Sequence, residues 1–312
     1  MKLSLVFPIF NEESIIIELV DRLCTLISTS DVNLLWEIIF VDDGSEDESN
    51  NIIRNEKARL SSLNCDVVVI KLARNFGHQL AITAGIDKAT GDYVAILDAD
   101  LQDPPELVVD MLKKALEGHD VVYAKRRKRA NETIFKKYSA AMFYRLLRLL
   151  SDTEIPLDTG DFRIMSRRFV DELKKLRERH RFIRGLVPWI GFSQVAYEYD
   201  RAPRYAGETK YPLRKMISFA LNAIMSFSIK PVRLAMYIGF FIALLSFTFA
   251  MFILYLRFFT DYLIPGQATA LTIVTFLGGI QIIFIGIIGE YVGKIFEEIK
   301  ARPIYVIEEI IE

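Results

Sequence analysis

The chain of 312 residues has two cysteines, Cys24 and Cys65, and three histidines. Neither cysteine sits in a CxxC or metal-ligand spacing, so thiolate metal chemistry is not indicated, and in a cytoplasmic domain both are expected to be reduced. An excess of one charge is also missing. The formal net charge of −1 argues against a general nucleic-acid binder. There is no internal repeat and no low-complexity tract. The amino terminus, Met1 to Pro8, has too short an apolar run for a signal peptide, so the first part of the chain is expected to stay in the cytoplasm.

One further absence divides the chain. Leu234–Leu256 contains no charged residue, and neither does Ala268–Gly289, where Gln281 is the most polar side chain. Runs of about 22 residues span roughly 30 Å as helices, the thickness of the hydrocarbon layer of a bilayer. Two transmembrane helices, about 234–256 and 268–289, are therefore expected, joined by the short Arg257–Gln267 connection. Lys215, Lys230 and Arg233 precede the first, and Lys294, Lys300 and Arg302 follow the second, which predicts cytoplasmic termini by the positive-inside rule. The division expected is a catalytic domain at 1–211, an interfacial amphipathic helix or linker at 212–232, the two spans within 233–293, and a cytoplasmic tail at 294–312. The β-prone residues Ile304–Ile311 of that tail invite pairing with a sheet edge, in this chain or a neighbouring copy. Assembly of copies through the spans or the tail is an option the sequence leaves open.

Before the spans, strand and helix patterns alternate. Strands are predicted at Leu3–Phe7, Glu37–Val41, Asp66–Leu72, Asp92–Leu97 and Asp120–Ala124, with helices from about Glu13 to Ser28, Asp47 to Leu60, His78 to Ala89 and Glu106 to Gly118. Such alternation predicts βαβ crossovers and a mostly parallel, Rossmann-like α/β sheet. Asn11, Glu12 and Glu13, and then Gly44, Ser45, Asp47 and Glu48, read as helix-start residues. Asp103-Pro104-Pro105-Glu106 reads as another helix start. Glu132–Leu150 has apolar residues at helical spacing among lysines and arginines, which suits either a helix at the membrane interface or one covering the sheet. Leu213–Ile229, leading into the first span, has the stronger interfacial character.

The chemistry lies at the ends of the predicted strands. Ile96-Leu97-Asp98-Ala99-Asp100 ends an apolar run in two carboxylates one residue apart. On an extended chain these project to the same side and can share a divalent cation. Carboxyl ends of parallel strands are where open α/β sheets bind ligands. A lone DxD recurs by chance, but here it follows Pro8-Ile9-Phe10-Asn11-Glu12-Glu13, Val41-Asp42-Asp43-Gly44-Ser45 and Arg74-Asn75-Phe76-Gly77 in order. This set resembles the inverting family-2 glycosyltransferases of GT-A fold. With two carboxyl-terminal spans it is most similar to their polyprenyl-phosphate members, the bactoprenol glucosyltransferases and dolichol-phosphate mannose synthases.

The resemblance implies that Pro8, Phe10, Glu12 and Asp42 surround the nucleotide, with Asp98 and Ala99 also on the donor. Position 10 is commonly Tyr in the family, and Phe10 keeps the ring without the hydroxyl. Asp42 also reads as a turn and helix cap. Asp98, Asp100 and Gln102 would hold Mg²⁺ or Mn²⁺ on the diphosphate. Arg126 matches a family arginine on that diphosphate, within a basic run, Lys125-Arg126-Arg127, that allows a shift of one position. Arg204 and Lys210 would grip the lipid phosphate, the alternative being an ordinary juxtamembrane basic cluster. Asp161 stands where many inverting relatives place a catalytic base. A phosphate monoester has its second pKa near ~6, so the acceptor is mostly a dianion at neutral pH and offers little proton to remove. Asp161 is therefore expected to orient more than to take a proton. His78, at a helix start, is expected to be structural.

The expected activity is inverting transfer of a sugar from a nucleotide sugar, UDP-glucose first, to a polyprenyl phosphate such as undecaprenyl phosphate at the cytoplasmic face of the membrane. A GDP-mannose-dependent synthase or an amino-sugar transferase is the alternative within the class. An inert membrane scaffold or lipid-binding subunit is the alternative outside it. A processive polysaccharide synthase is disfavoured, because no QxxRW motif occurs.

Overall fold

The computed structural model of the protein describes residues 1–30, 32, 34–127, 159–179, 181–200, 230–259 and 266–312. These fall into two compact units. Residues 303–312 belong with the amino-terminal unit, and 266–302 with 230–259 in the other.

In the first unit an eight-stranded sheet has the order β7-β5-β6-β4-β1-β2-β3-β8. Its parallel centre is made by β1 (Lys2–Ile9), β2 (Leu35–Asp42), β3 (Cys65–Leu72) and β4 (Tyr93–Ile96). The crossovers are α1 (Ile16–Thr29), α2 (Ser49–Ser61) and α3 (His78–Lys88). The apolar runs that form β1 and β2 are buried almost throughout, as strands covered on both faces must be. In α1, Ile16, Leu19, Val20, Leu23 and Leu26 recur at helical spacing and are all buried, so one stripe faces the sheet. On the other face, a Cβ at Gly85 of α3 would lie 2.3 Å from Val6 Cγ1, so only glycine lets the helix sit this close to β1.

Pro8 stands in a central strand, where a missing N–H usually breaks a ladder. Here it breaks none. Val6 pairs with Ile96, the last residue of β4, so at Pro8 the neighbour on that side has already ended.

The five predicted strands and four helices all form, the last helix being α4 (Leu107–Leu116), within a few residues of the expected ends. After β5 (Val121–Arg126), the sheet becomes mixed in a way the sequence pattern did not suggest. β6 (Thr159–Ser166) inserts between β4 and β5, antiparallel to both, and β7 (Gln194–Tyr199) runs parallel to β5. Between them lie α5 (Arg167–Lys175) and α6 (Ile183–Ile190). The carboxyl-terminal β8 (Ile307–Ile311) pairs antiparallel with β3 of its own chain. Ion pairs Lys71–Glu308 at 2.9 Å, Arg54–Glu309 and Lys88–Glu312 fix it there.

The second unit contains α7 (Lys230–Phe259) and α8 (Gln267–Ile299), which pack on each other, with the Cβ position of Gly239 3.9 Å from Phe284. Both helices outrun the predicted 234–256 and 268–289. Among the described residues one helical segment is long and apolar enough to cross a membrane, Phe276–Ile299, with mean hydropathy 1.7, and Ala235–Phe249 is a shorter apolar stretch. Phe240, Phe258, Phe276 and Ile282 are strongly exposed, an arrangement suited to lipid rather than to a water-facing bundle.

Candidate active site

At the carboxyl ends of β1 and β2, two loops are stitched to each other. The Asn11 amide donates to Ser45 Oγ at 3.0 Å and the Glu46 amide donates to Asn11 Oδ1 at 2.9 Å. The Glu12 amide donates to Ser49 Oγ at 2.8 Å, and the Glu48 amide to Glu13 Oε2 at 3.1 Å. Asn11, Glu12 and Glu13 therefore do not cap α1 as predicted. The helix begins later, at Ile16, and their polar groups are spent between loops. Asn11 takes a left-handed φ of 54°, which asparagine tolerates.

Asp42 is fully buried, with Ser45 N donating to Oδ1 and Asn50 Nδ2 to Oδ2, both at 2.9 Å. The turn in the reading of this residue is thus present, whereas the N-cap of α2 is Glu48. Its neighbour Asp43, not singled out in the sequence, accepts from the amides of Phe76 at 2.7 Å and Gly77 at 2.8 Å. Burial pushes the Asp43 carboxyl up despite these bonds. Asp43 thereby ties the β2 loop to the β3 loop. Phe10 and Glu12 lie at the same end of the sheet, with Phe10 41% exposed and free to meet a planar ligand.

After β4 the chain does not stay extended. Asp98–Asp103 forms a turn in which Leu101 has φ 56° and the Gln102 amide donates to Asp100 Oδ1 at 3.1 Å. The extended strand expected to project both carboxylates to one side is therefore replaced by a turn, in which Ala99 and Leu101 are buried. Burial, with the charges of Asp161, Asp103 and Asp100, pushes the Asp98 carboxyl up to about 6 against the opposing effect of His78. Asp98 Oδ1 is buried and accepts no hydrogen bond among the described residues, although the His78 ring faces it at 3.3 Å as an ion-pair partner. Hard carboxylate oxygens carried on one turn suit Mg²⁺ or Mn²⁺, which commonly takes one or two carboxylates and completes its shell with phosphate and water. No group of three His, Cys, Asp or Glu side chains arranged for a metal occurs among the described residues, so the fit rests on such a shared shell.

Asp161 on β6 faces the same loop. Its side chain is 1% exposed and is gripped by Arg184 of α6, with Nε donating to Oδ1 and Nη2 to Oδ2, both at 2.9 Å. Gln79 Nε2 donates to Oδ2 at 3.2 Å, and His78 Nε2 lies 3.3 Å from the same oxygen. Burial alone would raise this carboxyl, but Arg184 and His78 hold it well below the usual carboxylate range. Gln79 also accepts from the Ile183 amide at 2.9 Å, which locks the first turn of α6 to α3. Arg163, buried beneath, donates to the carbonyls of Gly160 at 2.9 Å and Asp161 at 3.1 Å, and burial lowers its guanidinium to about 10.

His78, expected to be structural, opens α3 and lies 3.3 Å from both Asp98 and Asp161. Burial opposes its charge, yet the two carboxylates outweigh this and push the imidazole up to about 9. The sequence carried a sign of His78 and Gln79, since both directly follow the strand-end motif Arg74–Gly77. Arg184 carried none, because it lies beyond any recognisable motif.

Arg126 ends β5, where Tyr199 of β7 is its register partner. Arg204, Lys210 and the helical patterns at 132–150 and 213–229 lie outside the described residues.

The glycosyl transferase family 2 signature matches residues 4–174, more than half of the chain, and so takes in the loops of Pro8, Asp42 and Asp98 and the Asp161 strand. The chain belongs to glycosyl transferase family 2. This family membership, with the mixed, mostly parallel sheet, makes the first unit a GT-A-type glycosyltransferase domain. The GtrB C-terminal hairpin signature matches residues 230–295, the region of α7 and α8. The glycosyltransferase is 47% identical to YkcC, an uncharacterized glycosyltransferase of Bacillus subtilis, over 98% of this chain and 93% of that one. It is 41% identical to the uncharacterized glycosyltransferase sll0501 of Synechocystis, over 99% of this chain and 96% of that one. It is 39% identical to the bactoprenol glucosyl transferase of Shigella phage SfII, over 99% and 98%.

Proposed function

We propose that this family-2 glycosyltransferase moves glucose from UDP-glucose to a polyprenyl phosphate, undecaprenyl phosphate first, at the cytoplasmic face of a membrane that α7 and α8 span. The observation that carries the reading is the nearly full-length likeness to a bactoprenol glucosyl transferase, hairpin included. Basic residues at the outer ends of the helices, Lys230 and Arg233 on one and Lys294 and Lys300 on the other, favour both termini on the cytoplasmic side.

In this reading Pro8, Phe10, Glu12 and Asp42 form the nucleotide end of the site, with Asp42 acting through the turn it holds. Asp98 and Asp100, with Gln102, would hold Mg²⁺ or Mn²⁺. The metal, when bound, neutralises charge developing on the departing diphosphate. Arg126 adds a guanidinium to the same diphosphate, and Arg204 and Lys210 take the acceptor phosphate. In-line attack by a phosphate oxygen on the anomeric carbon breaks its bond to the diphosphate and inverts an α-linked donor to a β-linked product.

The acceptor reaches the site largely as a dianion and needs no base. A carboxylate held far below its ordinary pKa by a bidentate guanidinium would be a weak base in any case. Asp161 is therefore assigned to orientation. It fixes Arg184 and His78 around the space in which the sugar and the attacking phosphate meet. The test is a panel of UDP- and GDP-sugars with purified full-length protein and undecaprenyl phosphate, reading the lipid-linked product. UDP-glucose is expected to be the preferred donor. Preference for GDP-mannose would move the reading to a mannose synthase, and transfer from none would remove the enzyme reading.

A further inference from the structure

Arg126 and Tyr199 are register partners on adjacent parallel strands, so their side chains leave the same face of the sheet. The Tyr199 ring is 5% exposed and packs edge-on against Phe162, with centroids 6.2 Å apart. Its hydroxyl donates to Asp103 Oδ1, and the Arg126 guanidinium stands on the same side, close enough to oppose the rise that burial and Asp103 give the phenol. Asp103 is buried at the end of the turn that carries Asp98, Asp100 and Gln102. The helix start read at Asp103–Glu106 is realised, with α4 beginning at Leu107, and the Asp103 side chain turns to Tyr199. Gly160, directly before Asp161, closes the enclosure. A Cβ there would stand 3.1 Å from Arg126 Nη2 and 3.7 Å from Asp103 Oδ2.

We propose that the Tyr199 hydroxyl, anchored by Asp103, is a positioning device that sets the Arg126 guanidinium relative to the Asp98–Asp100 turn, so that both meet one nucleoside diphosphate together. The inference rests on the donor-site reading given above. A guanidinium offers five donors in one plane, so a contact at one edge leaves the others aimed outward. Arg126 Nε is buried and donates to nothing among the described residues. An arginine side chain fixed in advance loses less freedom when an anion arrives, which shows as tighter binding of that anion. The arrangement is also one-sided. The hydroxyl proton is given to Asp103 Oδ1, which leaves the oxygen lone pairs for Arg126. Gly160 belongs to the device because any side chain there would press on the guanidinium.

Tyr199→Phe keeps the ring and its packing and removes the hydroxyl alone. In purified full-length protein it should raise the donor KM about 10-fold, the effect of losing one hydrogen bond to a charged group, while the acceptor KM stays within about twofold. Binding of UDP or GDP with Mn²⁺, read by calorimetry without turnover, should weaken by the same factor. Gly160→Ala, which crowds Arg126 and leaves the hydroxyl in place, should give the same split. In an Arg126→Ala background, Tyr199→Phe should change nucleotide binding by less than about twofold, since nothing is left to position. Unchanged nucleotide affinity in Tyr199→Phe, or effects that simply add in the double variant, would overturn the proposal even if melting temperatures fall. Failure of the wild-type protein to transfer sugar would count against the reaction instead, and the nucleotide titrations would still decide the positioning role.

Discussion

Arg184 and Asp161 form a two-bond pair of 2.9 Å each, joining a helix and a strand that the sequence separates by 23 positions. The pair is buried on the carboxylate side and half-open on the guanidinium side, with 1% and 30% of the side chains exposed. This makes Asp161 a fixed anion around which the site is organised, held ionised by Arg184 and His78.

Asp161→Asn should slow sugar transfer about 100-fold, the scale of a small misplacement of reacting groups. The loss should not recover between about pH 6.5 and 9, because no proton transfer has been removed, and it should deepen towards pH 9, where His78, left with one of its two carboxylates, gives up its proton earlier. A neutral-pH loss that recovers as pH rises would restore the general-base role. The same substitution should cost stability of about 3 kcal/mol, since Arg163 and Arg184 lose a buried counter-charge. The carboxyl is depressed in the folded state, so its contribution is complete at neutral pH. It is lost only as pH falls below the ordinary value near ~3.9 and through the folded one. Thermal unfolding of the two proteins should therefore converge in strong acid.

Gly44 has φ +70°, and a Cβ there would meet the backbone of Arg74 at 2.6 Å and of Asn75 at 2.7 Å. Neither obstacle is a flexible side-chain end. Gly44→Ala should destabilise by roughly 2 kcal/mol through strain in the left-handed region. Because the shift falls between Asp43 and the β3 loop, UDP affinity should drop with it. Equal melting temperature and equal affinity would show that the loops separate freely.

The carboxyl-terminal strand β8 covers the β3 edge. Deleting residues 303–312 should bare a row of unpaired backbone groups and lose the three ion pairs to Glu308, Glu309 and Glu312. Size-exclusion chromatography in detergent should show self-association, and the melting temperature should fall. A monodisperse truncation with the parent's melting temperature would contradict this role.

Burial, with the nearby Asp66 charge, pushes the Cys65 thiol up to about 12, and burial raises that of Cys24 as well. At pH 8 a thiol of that kind is ionised in about one molecule in 10⁴. N-ethylmaleimide should leave Cys65 unmodified in the native protein and label it in denaturant, as read by mass spectrometry. Rapid native labelling of Cys65 would mean that the β2–β3 edge opens.

The parallel centre of the sheet was legible because β1 to β5 are continuous apolar runs with helical patterns between them, and each element's signal is local. β6 and β7 were not. Thr159–Ser166 places Asp161 and Arg163 inside a strand buried at its centre, so no apolar run announces it, and its insertion between β4 and β5 is a long-range choice. Asp98, Asp100 and Gln102 could be read because one turn carries all of them. Arg184, Tyr199 and Asp103 could not, because their partners lie 23, 96 and 96 positions away and are brought near only by packing. Asn11 was misread because a polar residue before a helix resembles a cap in sequence, whereas here another loop competes for its side chain and wins.

The account depends most on the reaction itself. Purified full-length protein in undecaprenyl phosphate vesicles, given radiolabelled UDP-glucose and Mn²⁺, should convert label to a lipid-extractable glucosyl phosphate. EDTA should stop the conversion, and added Mn²⁺ or Mg²⁺ should restore it. Folded, vesicle-bound protein that yields no labelled lipid under these conditions, or that transfers equally well in EDTA, would contradict the account.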